Sequence, residues 1–343
     1  MRVALLGPIA WRTPPHAYGP WEQVVALLAD GLVARGVDVT LFATLDSDTA
    51  ATLDGVCPRP YNEDPSLDGR IWEALHVGHC LSRSREFDLV HNHLDWLPLA
   101  LAESWSAPLL TTVHGFSGVR ILPAYQHAAR QGARFVSISD ADRDAALPYV
   151  ATVHHGIEVD RFPYRHSPDD YLLAFGRIHP DKGTADAIEI AREAGLRLVI
   201  CGPVHDVDYY EQAVAPRVDG HTVQYLGNVG PADRATLLGG AIALVHPIGF
   251  AEPFGLAVVE AMMCGTPVVA YPRGALPEIV NVGVTGYLAE GVDAAVRAVP
   301  RAANLNRRHV AAVAATRFSA DRMVDAYLDV YTRVLERASA VTG

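Results

Sequence analysis

VALLGPIAWRTPPHAYGPWEQVVALLADGLVARGVDVTLF, residues 3–42, carries a change of hydrophobic period that sets the fold class. Residues 3–6 are continuously apolar and stop at Gly7-Pro8, as a short buried strand does. From 21 to 35 the apolar positions Val24, Val25, Leu28, Leu32 and Val33 recur at helical spacing, and Gly36 follows as a C-terminal stop. Residues 37–42 return to strand character. Strand, helix and strand in 40 residues make a βαβ unit, whose crossover in a parallel sheet is right-handed.

The alternation continues outward. Residues 46–68 are polar, contain Pro58, Pro60 and Pro65, and read as a variable excursion. A helix is expected over 69–84, then strands at 89–90, 109–113 and 135–138. These strands run into His91-Asn92-His93, His114-Gly115 and Ser139-Asp140. Polar strand ends of this kind suit the carboxyl edge of an open sheet, where ligands bind. Asp140 is read equally as an edge residue or as the cap of a following helix. A linker at 156–169 precedes a second alternation: strands at 171–175, 198–201, 222–226, 241–245 and 267–271, with helices at 183–194, 231–239 and 255–264. Helices at 304–316 and 319–339 close the chain. No repeat of 20–50 residues is visible, and Gly7-Pro8-Ile9-Ala10 is not the GxGxxG of a dinucleotide enzyme.

The 343 residues suit two domains of about 150 residues each. Basic residues number 28 and acidic ones 39, a net charge of -11, which offers no long-range attraction to nucleic acid or anionic lipid. The four cysteines (57, 80, 201, 264) form no CxxC pair and read as reduced thiols. Met1-Arg2 runs directly into the first strand, so no signal peptide is expected. The expectation is a cytoplasmic protein with no nucleic-acid partner and no stable membrane insertion; monomer and homodimer are left open.

Two segments carry the chemistry. In EPFGLAVVEAMMCGTP, residues 252–267, Glu260 is the one charged side chain between Glu252 and Arg273. A helix apolar on all sides is buried, and a buried carboxylate needs partners. Sugar hydroxyls can supply them; a structural cap or an internal salt bridge is the competing possibility. Gly255 begins that helix, where unpaired N–H groups suit phosphate or sugar oxygens. In GRIHPDKG, residues 176–183, Arg177 and Lys182 put positive charge beside another helix start, an arrangement suited to a diphosphate and to the charge a departing nucleoside diphosphate develops. In the first half, Gly19 lies in the loop ahead of a helix and His114 ends a strand. His91 and His93 have no acid or cysteine spaced around them as a zinc site.

With these segments in view, the chain resembles a retaining glycosyltransferase of family 4, over essentially its whole length. EPFGLAVVEAM with CGTPVVA (252–270) and GRIHPDKG carry the resemblance. YGPWE (18–22), TVHG (112–115), SISD (137–140), HHGIEVDRF (154–162), GALPEIV and VTGYL support it. It implies an α/β protein of GT-B fold: two Rossmann-like, doubly wound domains facing a central cleft. The expected division is 1–162 on the acceptor side, 163–318 as the nucleotide-sugar donor domain, and a helix at 319–343 crossing back to the first domain.

The resemblance implies that Arg177 and Lys182 hold the donor pyrophosphate, Glu260 the ribose hydroxyls and Glu252 the transferred hexose. Backbone at Phe254, Gly255 and Leu256 would meet sugar and phosphate, His114 the donor sugar or its phosphate, and Gly19 the diphosphate. The implied activity is that of a retaining hexosyltransferase using a UDP-sugar, or next GDP-mannose, and a hydroxyl of a small-molecule or glycan acceptor. No metal or resident cofactor is expected. Two positions depart from the family pattern. Pro20 stands where a second glycine is usual and lacks an N–H, and His155 stands for the usual asparagine. The competing readings are a nucleotide-sugar epimerase or hydrolase of the same fold, and a non-catalytic nucleotide-sugar-binding protein.

Overall fold

The structure, a computed structural model, describes residues 1–16, 19–115 and 120–342; Tyr18 of the YGPWE segment lies outside these. Two compact units form: Met1–Gly156 with Ala320–Gly343, and Ile157–Ser319.

In the first unit the order is β1 (Arg2–Leu6), α1 (Pro20–Ala34), β2 (Asp38–Phe42), β3 (Thr52–Asp54), α2 (Gly69–Arg83), β4 (Leu89–Asn92), α3 (Leu97–Ala100), β5 (Leu109–Val113), α4 (Leu122–Arg130), β6 (Arg134–Ser137) and β7 (Tyr149–Thr152). The strands make one parallel sheet, β3-β2-β1-β4-β5-β6-β7. Alternate residues of β1 serve opposite faces, because side chains alternate across a strand. Val3 and Leu5 pack under α1, whereas Ala4 and Leu6 join Val77, Cys80 and Tyr125 on the other side. Both faces are therefore covered, as a parallel sheet requires.

In the second unit follow β8 (Tyr171–Phe175), α5 (Thr184–Ala194), β9 (Arg197–Cys201), α6 (Val207–Tyr209), β10 (Val223–Tyr225), α7 (Pro231–Gly240), β11 (Ala243–His246), α8 (Leu256–Met263), β12 (Val268–Ala270), α9 (Leu276–Ile279), β13 (Gly286–Leu288), α10 (Val292–Ala303) and α11 (Arg307–Phe318). The sheet order is β10-β9-β8-β11-β12-β13, again all parallel. Counted from its own first strand, the second sheet has the 3-2-1-4-5-6 order of a doubly wound fold, and the first has the same order extended by a seventh strand, β7. The order reverses between β1 and β4 in one unit and between β8 and β11 in the other. The last helix, α12 (Ala320–Thr342), returns to the first unit. Its stripe Met323, Val324, Tyr327, Val330, Tyr331 and Val334 packs beside α1, where Gly31 leaves room: a Cβ there would stand 2.5 Å from Val324 Cγ2.

Two expectations change. Residues 46–68 are not only an excursion, since Thr52–Asp54 adds the edge strand β3 to β2. Asp30 fixes the approach by accepting from the Thr49 hydroxyl and the Ala50 N–H, both at 2.8 Å. Asp140 caps no helix: residues 140–147 form turns, and its carboxylate accepts from the Thr152 hydroxyl on β7.

Candidate functional site

In the second unit the site grows from the carboxyl ends of β8 and β11, the switch point of the sheet. After Phe175 the chain turns at Gly176, whose carbonyl oxygen lies 1.9 Å from where a Cβ on Gly202 would sit. Residues Pro180–Lys182 form one 3₁₀ turn, and Gly183 then takes a left-handed φ of 67° to start α5. A Cβ on Gly183 would fall 1.9 Å from the Pro247 carbonyl oxygen, so the loop after β11 closes directly on this backbone. A small cavity between the two strand ends is lined by Phe175, Gly176, Arg177, Lys182, Thr184 and His246.

Lys182 Nζ donates to Glu252 Oε2 at 2.8 Å and lies 4.4 Å over the Phe250 ring. Glu252 is itself pinned by its backbone: its carbonyl accepts from Ala275 N–H at 2.8 Å, and Gly274 leaves no space for a side chain beside it. Burial works to raise the Glu252 pKa, but His246 and Lys182 more than offset it and hold the carboxyl at about 2. His246 Nε2 stands 3.6 Å from Glu252 Oε2, beyond hydrogen-bond length, so it acts through space. Arg177 is turned to Asp181, donating to its carboxylate at 2.6 Å, with His205 Nδ1 at 3.4 Å. The same carboxylate meets His179 Nδ1 at 2.7 Å.

Gly255 caps α8 with a left-handed φ of 93°, which leaves the first N–H groups of that helix without intrahelical acceptors. Leu256 begins the helix and is half-buried, whereas the Phe254 side chain belongs to the core, edge-on to Phe318 at 6.0 Å. One turn further, Glu260 is 7% exposed. It pairs with Arg234 of α7, whose guanidinium also covers the Phe175 ring at 4.8 Å. Burial raises the Glu260 pKa and Arg234 opposes the rise. Arg177, Lys182, Glu252, Gly255, Leu256 and Glu260 therefore come to one edge of one sheet, while of Phe254 only the backbone does.

In the first unit Gly19, at φ 152°, caps α1, and Pro20 takes the first helical position. Glu22 is 3% exposed and accepts from Trp11 N–H at 3.2 Å; burial pushes its pKa up to about 7. Trp21 stacks on His114 at 5.2 Å. Both nitrogens of His114 face other imidazoles: Nε2 meets His93 Nδ1 at 2.9 Å and Nδ1 meets His155 Nε2 at 3.4 Å. Burial holds His91, His93, His114 and His155 below the usual imidazole range. His91 bonds Tyr331 of α12 at 2.7 Å and Thr112 at 2.8 Å, so it is structural. Among the described residues no group of His, Cys, Asp and Glu is arranged to hold a metal ion. No described helix is long and apolar enough to cross a membrane.

Arg234, His246, Phe250 and Asp181 were not among the candidates drawn from the sequence, and His93, considered there only as a zinc ligand, is instead a partner of His114. Arg234 comes from another helix, and nothing in the pattern of residues 231–240 marks it. His246 does carry a signal, as a lone polar residue ending an apolar strand.

The family model for "Glycosyl transferases group 1" matches residues 157–316, and that for "Glycosyltransferase Family 4" matches residues 21–161. The D-inositol 3-phosphate glycosyltransferase of Actinosynnema mirum is 30% identical over 80% of each chain. The glycogen synthase of Mycobacterium tuberculosis is 28% identical over 87% of this chain and 86% of its own. Among solved structures, Anabaena HepE in complex with UDP and glucose shares the fold with a TM-score of 0.71, at 19% identity over 97% of this chain and 100% of that one.

Proposed function

The chain belongs to the GT-B glycosyltransferases, and on that premise we propose that it moves a hexose from a nucleotide-diphosphate sugar to a hydroxyl of a small-molecule or glycan acceptor, with retention of anomeric configuration. A UDP-sugar is the favoured donor and GDP-mannose the next. The observation that carries this reading is the Lys182–Glu252 pair, fixed at the switch point beside the start of α8. A cation, a buried ionised carboxylate and unpaired helix N–H groups within one sheet edge match the parts of a nucleotide-sugar: phosphate oxygens for the first and last, sugar hydroxyls for the carboxylate.

In this reading Lys182 and Arg177 bind the diphosphate and stabilise the negative charge it gains as the glycosidic bond breaks. Arg177 exchanges Asp181 for phosphate on binding. Glu252, kept ionised, accepts hydrogen bonds from hexose hydroxyls and steadies positive charge at the anomeric carbon. The attacking hydroxyl gives its proton to a donor phosphate oxygen, so no protein base is required. Glu260 takes the ribose hydroxyls. Gly19 and His114 are assigned to the donor by the family resemblance; His114, neutral and held by two histidines, serves there as a hydrogen-bonding group. The bound UDP and glucose of HepE support a uridine donor.

A thermal-shift screen with UDP, GDP, ADP and their hexoses tests the proposal. One nucleotide and its sugar should raise the melting temperature, and Lys182→Met should abolish the rise. No shift with any nucleotide would overturn it.

A further inference from the structure

Glu260 reaches its ligand already committed to another protein group. Its carboxylate is 7% exposed and pairs with Arg234, which projects from α7 rather than from its own helix. The Arg234 guanidinium is fixed on its other side by the Phe175 ring, 4.8 Å away, and its Nε is buried without a hydrogen-bond partner. Phe175 is the last residue of β8 and precedes the Gly176–Gly183 loop. The pair therefore ties α7, α8 and the end of β8 together at the edge where the candidate residues gather.

We propose that Arg234 is the positioning residue of the ribose subsite: anchored over Phe175, it keeps Glu260 ionised and oriented so that the carboxylate can accept from both hydroxyls of a vicinal diol. This rests on the reading of Glu260 as the ribose-binding carboxylate. A 2′,3′-diol offers two O–H donors. An ionised carboxylate is acceptor-only and has lone pairs left for both after Arg234 takes one, whereas a protonated carboxyl would turn one oxygen into a donor and reject one hydroxyl. Burial favours the protonated form, so the subsite needs a fixed cation.

The surroundings leave that task to Arg234. Arg161 acts on Glu260 only at a distance, in the same sense. Cys264, which caps the C-terminus of α8, has its thiol pushed up to about 12 by burial and stays neutral. From β11, His246 faces Glu252. From α11, Arg307 is occupied by the carbonyls of Arg165, Gly239 and Ala241 and by Thr266 Oγ1. Strand β12 (Val268–Ala270) adds no titratable group.

Calorimetric titration with UDP-glucose, a pyrophosphate diester that does not itself titrate between pH 6 and 8, reads the effect. The wild type, R234M, R234K, E260Q and R234M/E260Q are compared across that range. Wild-type affinity should be flat with pH. R234M should bind about tenfold to hundredfold more weakly at pH 6 and recover as pH rises and Glu260 ionises. R234K should keep the flat profile. E260Q and the double variant should be weak at every pH. If R234M does not fold, R234Q gives the same comparison without the charge. Weak binding by R234M with a flat profile, or wild-type binding by R234M, would overturn the role of Arg234. Wild-type binding by E260Q would overturn the ribose reading itself, and this proposal with it.

Discussion

Replacing Lys182 by Met separates the paired residues on which the donor site is built, and its cost follows from the burial of both. The Lys182 and Glu252 side chains are 17% and 13% exposed, so solvent screens the pair little. Glu252 has its carboxyl lowered from 4.5 to about 2 despite burial. That depression corresponds to about 3 kcal/mol in favour of the charged form. The sign is that of a depressed carboxylate: the stabilisation is present above the unfolded value and is lost as pH falls through the folded one. At pH 7 it is complete. His246 keeps part of it, so K182M should destabilise the second unit by about 2 kcal/mol at pH 7. In an E252Q background the same substitution should cost little, giving a coupling energy of about 2 kcal/mol. Urea unfolding separates the two units because all five tryptophans lie within residues 1–156. Far-UV circular dichroism should show the change, and the tryptophan signal should not move. A coupling energy under about 0.5 kcal/mol would refute the claim that this pair stabilises the site.

Other substitutions probe separate parts of the account. R307M strips donors from three backbone carbonyls and a hydroxyl, and should cost about 3 kcal/mol or more in the circular-dichroism transition. Gly183→Ala puts a Cβ into the Pro247 carbonyl at a left-handed φ; nucleotide-induced thermal shifts should disappear with it. Glu22 has its carboxyl raised from 4.5 to about 7, so wild-type stability should fall as pH rises through that window and level off above it. E22Q should remove that slope and gain up to about 3 kcal/mol at pH 8, read by tryptophan fluorescence, with no gain near pH 4.

The alternation of periods in residues 3–42 and 171–201 made the doubly wound fold legible, because β1, α1, β2, β8, α5 and β9 each obey one local rule. Elements whose reasons are non-local escaped. Strand β3 has three residues and exists because β2 offers an edge and Asp30 holds the turn. Strand β7 joins β6 through a register shift at Phe135/Val136, which no sequence period foretells. Helix α4 begins at Leu122-Pro123, beyond a turn that the apolar pattern does not mark.

The candidate site shows the same division. Glu260 stood out as a lone charge in an apolar helix, and burial follows from that pattern. That Arg234 meets it depends on how α7 packs against α8, which pairwise spacing cannot report. Sugar hydroxyls, a structural cap and an internal salt bridge were the alternatives for Glu260; the ion pair is present, and in the proposed reading it serves the hydroxyls. For His114 the strand-end position was readable, but the flanking His93 and His155 come from neighbouring segments of the sheet edge.

The most direct measurement is a crystal structure of the protein with UDP-glucose. The diphosphate should lie within hydrogen-bond reach of Arg177 and Lys182, the hexose against Glu252, and the ribose hydroxyls on Glu260 with Arg234 still in place. A nucleotide bound elsewhere on the second unit, with the Lys182–Glu252 pair unengaged, would contradict this assignment.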